Sequence, residues 1–305
     1  MKKLSRLPRT TLALPAWFWF AFFFAVPVLW ILFYSFGYKP DLYRTIATNH
    51  LNFHQYALAA SSTFFQTYIS TLRISLLGTF ICFLIAFPFA YWLAVRVRQS
   101  RRPLVLSFVL IPFWTNFLVR TIGWRIILSP SGLLAGALHS LHLHPSSIQL
   151  LDTRGAVQLG VVYNYLPLMI LPIYVALDRL DPSLREASKD LGAGRIRTLI
   201  QVTIPLVMPG IIAGLILVFI PLSGDFITAT VLGGAKGNMA GQMVYDQFLI
   251  AQNWALGSAM AVELILVIIM TVAIFGSFGW IARKSVKARR RITIVLQEEP
   301  LEVFV

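Results

Sequence analysis

The chain has 305 residues, of which 57% are hydrophobic and only 12% are charged, and its mean hydropathy is +0.74. A soluble domain carries roughly a quarter charged residues, so this composition excludes an ordinary water-soluble globular protein. The formal net charge of +14 is compatible with nucleic-acid binding. Whether the charge serves that function depends on where the basic residues lie along the chain.

Six stretches of the chain are long and apolar enough to cross a bilayer, which takes about 20 residues in a helix. They are residues 16–37, 66–95, 104–124, 156–178, 204–227 and 257–282. We therefore expect an all-α integral membrane protein with six transmembrane helices, in which a membrane domain at 16–285 is flanked by segments 1–15 and 286–305. The apolar part of the first stretch is too long for a cleavable signal peptide, so we expect it to remain as a span.

Basic residues cluster before the first span and after the second, fourth and sixth spans. These residues are Lys2, Lys3, Arg6, Arg9, Arg96, Arg98, Arg101, Arg102, Arg179, Arg185, Lys189, Arg195, Arg197, Arg283, Lys284, Lys287, Arg289, Arg290 and Arg291. Cytoplasmic connections of membrane proteins carry such an excess of Lys and Arg. We therefore expect both termini in the cytoplasm, a lipid bilayer around the spans, and no binding of nucleic acid.

Cys82 is the only cysteine and lies in the second span, which excludes an intrachain disulfide. We expect it to be a small buried hydrophobic residue. Farther along, His139, His142 and His144 lie in the long connection between the third and fourth spans. We expect a solvated loop there and no metal site, because neither a Cys nor a carboxylate completes the ligand set. A short interfacial helix over 132–138 is expected in the same connection.

The connection between the fourth and fifth spans has the signals of a helix that ends at a glycine. Pro182 suits a first helical turn, and Glu186 adds negative charge near the N-terminus of that helix. We expect a helix over 183–191, ended by Gly192, and a second short helix that begins at Arg195 and runs into the fifth span at Pro205.

This connection resembles the EAA loop of ABC-importer permeases, whose pattern is Glu-Ala-Ala, three residues, Gly, nine residues, then Ile-x-Leu-Pro. The matching residues here are Glu186, Ala187, Ser188, Gly192, Val202, Ile204 and Pro205, and Asp190 lies within the pattern. Ser188 replaces the third-position alanine, and Val202 and Ile204 replace Ile and Leu. The resemblance implies a cytoplasmic coupling loop that docks on a separate ATPase.

Further segments resemble permeases of the spermidine/putrescine type. They are Ile111 to Asn116, Val161 to Pro172, Leu180 to Gly214, Leu232 to Gly234, Asp246 to Phe248, and Asn253 with Trp254. The resemblance implies five core spans and an N-terminal one in the inner membrane of a bacterium. It also implies two ATP-binding subunits that carry ATP and Mg, a second and different permease chain, a substrate-binding protein outside, and polyamine as the solute. Related permeases move opines, phosphonates or iron, and these solutes remain alternatives.

Four ionisable residues, Arg73, Arg120, Asp225 and Glu263, fall in the outer third of the predicted spans. Charges within a membrane span are costly and often functional. The two acids either form an anionic lining that attracts a polyamine, or pair with the two arginines as structural bridges.

Four polar or aromatic residues are further candidates for the substrate path, because such groups suit an alkyl polyamine. They are Trp114, Asn116, Tyr163 and Asn164. Core packing explains them nearly as well.

The sequence contains no G-x-x-x-x-G-K-[ST] motif, and Leu232 to Gly237 lacks the spacing of a phosphate-binding loop. We therefore expect no catalytic residues, no cofactor and no metal in this subunit. Two functions from other classes remain open: an ion-coupled carrier that uses Asp225 and Glu263, and a membrane assembly or sensor component without transport.

Overall fold

In the computed structural model, which describes residues 9–140 and 149–289, almost all regular structure is helical. The helices are α1 Arg9–Phe20, α2 Val26–Tyr34, α3 His54–Ala59, α4 Ser62–Arg96, α5 Arg102–Trp114, α6 Phe117–Leu128, α7 Leu133–Ser140, α8 Arg154–Asp178, α9 Pro182–Asp190, α10 Arg195–Thr198, α11 Ile204–Ser223, α12 Ala240–Leu249 and α13 Trp254–Arg289. Most of the predicted end segments 1–15 and 286–305, and His142 and His144, lie outside the described residues. The expected interfacial helix after Ser131 corresponds to α7.

Six helical stretches among the described residues are long and apolar enough to cross a membrane. They are Ala13–Tyr34, Phe64–Arg96, Phe117–Leu138, Arg154–Asp178, Arg195–Ser223 and Trp254–Ser277. The predicted number of spans is therefore confirmed, and five of the six predicted stretches coincide with these helices. The cytoplasmic placement of the termini stays a prediction.

The prediction of one uninterrupted third span over 104–124 was wrong. The chain forms α5, leaves the helix at Thr115 and starts again as α6 at Phe117. Pro112 contributes no N–H to the end of α5, and the side chain of Asn116 accepts the first free N–H groups of α6, from Leu118 at 2.8 Å and from Val119 at 3.4 Å. Pro112 and Asn116 therefore favour the end of one helix and the beginning of the next within a single apolar stretch.

Helix α8 is at the centre of the packing and contacts α4, α5, α6 and α11. The surface of α4 towards α8 is a row of small residues four positions apart: Gly78, Cys82, Ala86, Ala90 and Ala94, all buried. Residues spaced by four lie on one face of a helix, and small ones allow two backbones to approach closely. Cys82 is fully buried in this row, as predicted, and its Sγ lies 3.7 Å from the carbonyl oxygen of Val162.

Helix α11 approaches α8 through Gly210 and Gly214, whose spacing of four places both on one face of the helix. A Cβ at residue 210 would collide with Ala176 and lie 2.7 Å from the carbonyl oxygen of Pro172, and a Cβ at residue 214 would lie 2.9 Å from the sulfur of Met169. The two helices therefore leave no room for a side chain at residues 210 and 214.

The first span makes no core. None of the most apolar part of Ala13–Tyr34 is buried within the chain, and Trp17 and Phe18 expose 70% and 73% of their surface. A helix that is apolar all round needs an apolar medium, which a bilayer supplies. The helical residues from Leu266 onward form a second compact unit, in which Thr271 and Ser277 donate their hydroxyls to carbonyls one turn earlier.

We expect Gly210→Ala to destabilise the chain by about 1–3 kcal/mol, because the added methyl group overpacks the α8–α11 contact. The midpoint of thermal unfolding in detergent should fall by a few degrees. Gly123→Ala is the matched control, since a Cβ at residue 123 has nothing within 4 Å. Equal midpoints for the two variants would contradict the importance of this contact.

Candidate functional site

The loop after α8 begins with a capped helix. The side chain of Asp181 accepts a hydrogen bond from the backbone N–H of Ser183 at 2.9 Å, and Pro182 occupies the first turn. This backbone hydrogen bond, with a further one from the Ser183 side chain, lowers the pKa of the Asp181 carboxyl below its ordinary value. The cap is therefore ionised at neutral pH, and α9 starts within a residue of the predicted position.

Gly192 ends α9 in a Schellman arrangement. Its φ is +81°, its N–H donates to the carbonyl of Lys189 at 2.8 Å, and the N–H of Ala193 donates to the carbonyl of Ser188 at 3.1 Å. These two bonds satisfy carbonyl groups at the helix end, and the left-handed conformation favours glycine at this position. The bend between α9 and α10 is therefore fixed by Gly192.

Helix α10 continues into α11 without leaving the helical path. A π-helical turn at Leu199–Thr203 joins them, with the N–H of Ile204 donating to the carbonyl of Leu199. Pro205, which has no N–H, follows directly and is exposed. The predicted continuation of the second short helix into the fifth span is present, and the π-turn is a feature that the sequence did not reveal.

The surface of this loop combines charges with exposed apolar side chains. Glu186, Ala187 and Asp190 are exposed, whereas Ser188 is half-buried, and its hydroxyl lies 3.1 Å from that of Thr198. Leu191, Ile196 and Ile200 expose 90%, 73% and 58% of their surface. We call these three residues the apolar loop surface. Large apolar side chains exposed among charged ones are typical of surfaces that contact other proteins.

A salt bridge that sequence analysis missed lies next to the loop. Arg102 contacts Asp178, the last residue of α8, at 2.5 Å, and also donates to the carbonyl of Ala94 at 2.6 Å and to that of Val97 at 3.0 Å. One side chain thereby joins the ends of α4 and α8 to the start of α5. Arg102 and Asp178 both lie at the ends of predicted spans in the sequence. This shared position could have suggested that they form a salt bridge.

The break in the third span borders a cavity of about 230 Å³. Its lining comes from α4, α5, α6 and α8: Ile85, Phe89, Phe108, Val109, Pro112, Phe113, Arg120, Tyr163, Leu166, Pro167 and Ile170. Tyr163 is 38% exposed and packs edge-on against Trp124, with ring centroids 5.4 Å apart. The cavity is thus mainly aromatic and aliphatic, with one cation.

The other predicted path residues have separate environments. Trp114 is 86% exposed at the end of α5, while the side chain of Asn116 is engaged as the cap of α6. Asn164 is buried and donates to the Thr121 hydroxyl at 3.1 Å, which leaves its Oδ1 without a partner. A buried acceptor without a partner is uncommon and can receive a donor from water or a ligand.

One of the two alternatives for Asp225 and Glu263 was pairing with Arg73 and Arg120. Among the described residues, no salt bridge joins these acids to these arginines. Asp225 is buried, and its two oxygens accept the N–H and the hydroxyl of Thr228 at 2.9 and 2.5 Å. The spacing of three residues is that of a capping pair, and this signal could have revealed Thr228.

Tyrosines accompany both acids. The Tyr165 hydroxyl donates to the carbonyl of Pro221 at 3.4 Å and is also close to the Asp225 carboxylate, while the Arg120 guanidinium lies 5.4 Å from the ring centroid of Phe113. The Tyr68 hydroxyl donates to the carbonyl of Met260 at 3.3 Å and is close to half-buried Glu263. Arg73 faces outward on α4 and is exposed. No sequence pattern indicated Tyr68 or Tyr165.

Residues 86–287 match the family model of the binding-protein-dependent transport system inner membrane component. The chain belongs to this family. It is therefore a multi-pass membrane permease subunit of the ABC-importer type, and the family's role in transport is non-catalytic.

The permease is similar to individual members of the family over most of its length. It is 37% identical over 257 residues to the spermidine/putrescine transport system permease protein PotB of Haemophilus influenzae, covering 84% of this chain and 88% of that protein. It is 34% identical to PotB of Escherichia coli strain K12, covering 88% and 97%. An inner membrane ABC transporter permease protein of the same strain, YdcU, is 31% identical and covers 86% and 85%.

A solved structure shares the fold of the permease. The crystal structure of a bacterial ABC transporter involved in the import of the acidic polysaccharide alginate has a chain with a TM-score of 0.70 and 17% identity, covering 88% of this chain and 93% of that chain. A second structure of a bacterial alginate ABC transporter, in complex with an alginate-pentasaccharide-bound periplasmic protein, gives a TM-score of 0.68 at 17% identity, covering 87% and 91%.

We expect Arg102→Gln to lower the stability of the permease by about 1–3 kcal/mol, because it removes a charged hydrogen-bond donor from two helix-end carbonyls and a carboxylate. Thermal unfolding in detergent measures the change. Arg101→Gln is the matched control, since the neighbouring Arg101 is exposed. An unfolding midpoint equal to that of the control would show that the bridge contributes little.

Proposed function

We propose that this chain is the permease subunit through which an ATP-driven importer moves polyamines such as spermidine and putrescine across a bacterial inner membrane. The observation that carries the proposal is the 37% and 34% identity to two spermidine/putrescine permeases, over 84% and 88% of this chain. Similarity over this share of the chain extends well beyond the loop between α8 and α11.

The loop between α8 and α11 is the element that couples this subunit to an ATPase. Two ATP-binding subunits, one for this chain and one for a second permease chain, hold ATP and Mg. The exposed apolar side chains of Leu191, Ile196 and Ile200 would bury apolar surface on docking, and exposed Glu186 and Asp190 would add charged contacts. Closure of the ATPases then displaces α9 and α10, and α11 follows because it is continuous with α10.

The translocation path runs between this chain and a related second permease, and the cavity beside Tyr163 faces it. Aromatic rings of the lining attract an ammonium group, whereas Arg120 in the same lining repels it. Asn164 lies outside this lining, and its buried Oδ1 has no partner. Trp114 is exposed for contact with the alkyl chain. Glu263 supplies negative charge, while Asp225 contributes through its capped, buried carboxylate to the same outer region.

A substrate-binding protein delivers the solute from outside, and a braced turn after α2 offers it a contact. Tyr38 and Ala47 are joined by two backbone hydrogen bonds, and the Asp41 side chain accepts the N–H groups of Tyr43 and Arg44 at 2.9 and 2.7 Å. Leu42 and Tyr43 at the tip are 87% and 96% exposed. A rigid turn with exposed apolar side chains binds without a large loss of entropy.

Uptake of labelled spermidine and putrescine into proteoliposomes that hold the complete complex, ATP and the binding protein tests the proposal. ATP-dependent accumulation of either polyamine supports it. If the binding protein stimulates ATP hydrolysis but no polyamine enters, the importer remains and the solute is another one. Flux that follows an ion gradient without ATP would instead establish an ion-coupled carrier.

We expect Gly192→Val to lower polyamine uptake per ATP hydrolysed, because a β-branched residue at φ +81° is strained by at least 1–2 kcal/mol and shifts α9. Gly194→Val is the matched control, since residue 194 has φ −65° and open space at its Cβ. The ratio of uptake to phosphate release should change only in the first variant. An unchanged ratio in both would count against the loop as a rigid coupling element.

We expect Glu263→Gln to raise the spermidine concentration for half-maximal uptake about five- to tenfold, the effect of losing roughly 1–1.4 kcal/mol of attraction. Asp246→Asn removes the same charge from α12 and serves as the control. Normal uptake by Glu263→Gln in an intact complex would remove this residue from the path.

A further inference from the structure

The hinge between α9 and α10 is short and rich in glycine. Gly192 and Gly194 stand on either side of Ala193, and a Cβ at either glycine would meet no atom within 4 Å. No side chain packs against these two positions, so the backbone there is held by the hydrogen bonds of the Gly192 and Ala193 N–H groups. A partner that pushes on α9 would strain these bonds and could change the angle between the two helices.

One side-chain hydrogen bond crosses this hinge. The hydroxyls of Ser188 and Thr198 are 3.1 Å apart, and the bond closes a ring of backbone over ten positions. Thr198 is 4% exposed, so water competes poorly for its hydroxyl. Among the described residues, this is the only side-chain to side-chain hydrogen bond between α9 and α10.

The bond ends at the residue that leads into the fifth span. Thr198 is the last residue of α10, and the π-helical turn that follows connects it to α11. A displacement of α9 can therefore reach α11 through the Ser188 hydroxyl as well as along the chain. An alanine at position 188, as in the EAA pattern, has no group that could make this connection.

We propose that Ser188 is a positioning residue that holds α9 against Thr198. Movement of the docked loop then displaces the fifth span and does not merely change the angle between α9 and α10 at residues 192–194. This inference rests on the proposed coupling function, because it concerns how the same loop transmits force. The residue does not touch solute or nucleotide. It acts by keeping the angle between two short helices.

The test compares Ser188→Ala, Thr198→Val and the double variant with the unmodified complex in proteoliposomes. We expect each single variant to lower uptake per ATP hydrolysed about two- to tenfold, the range of one hydrogen bond. The double variant should be no worse than either single one, because the two residues act as a pair. Thr198→Ser retains the hydroxyl and should restore the ratio. Ser107→Ala, which removes an exposed hydroxyl from α5 outside the loop, should leave it normal.

Hydrogen exchange of the purified permease gives a second readout that needs no transport. Amides of Leu191 to Ala193 should exchange about two- to tenfold faster in Ser188→Ala and Thr198→Val than in the unmodified protein and in Ser107→Ala. Unchanged exchange, an unchanged uptake ratio or additive effects in the double variant would overturn the proposal. If the unmodified complex itself shows no ATP-dependent uptake, the coupling function fails, whereas the exchange result still decides whether the bond holds the hinge.

Discussion

The close contact of α8 with α4 and α11 is the constraint on which the rest of the molecule depends. Helices in lipid gain little from burying apolar surface against one another, so their association relies on close packing. Glycine, alanine and cysteine on α4, and Gly210 and Gly214 on α11, provide that packing. Helix α8 also carries Tyr163, Asn164 and Tyr165 and ends at the loop that contains α9 and α10. Its position therefore determines where the proposed path residues lie and where that loop begins.

Polar groups in this bundle are satisfied mostly by near neighbours and much less by ion pairs across it. Asp225 is held by Thr228, and Asn116 caps α6, which permits a break inside a span without exposing free N–H groups. Arg102 does the same for two carbonyls at the end of α4. Breaks and ends of the spans are therefore places where a single polar side chain completes the backbone hydrogen bonding.

The number of spans, the helix–glycine–helix loop, the burial of Cys82 and the glycine contact could be predicted from the sequence, because each depends on local patterns of apolar, small or capping residues. The broken third span was missed, since hydropathy does not distinguish a continuous apolar helix from two helices joined at Asn116. The neighbours of Asp225 and Glu263 were also missed in part. Charge alone suggests arginine as their partner, whereas the hydroxyls of Tyr165 and Tyr68 become visible only when the helices are packed.

The burial of Cys82 has a practical consequence. Its side chain lies wholly within the contact between α4 and α8, and it is the only thiol in 305 residues. A water-soluble thiol reagent that cannot enter this contact leaves the native protein unlabelled. Cysteines introduced at exposed positions can therefore be labelled with spectroscopic probes without replacing Cys82. Distances between the outer and inner ends of the helices can then be measured during turnover in a protein whose α4–α8 packing is unaltered.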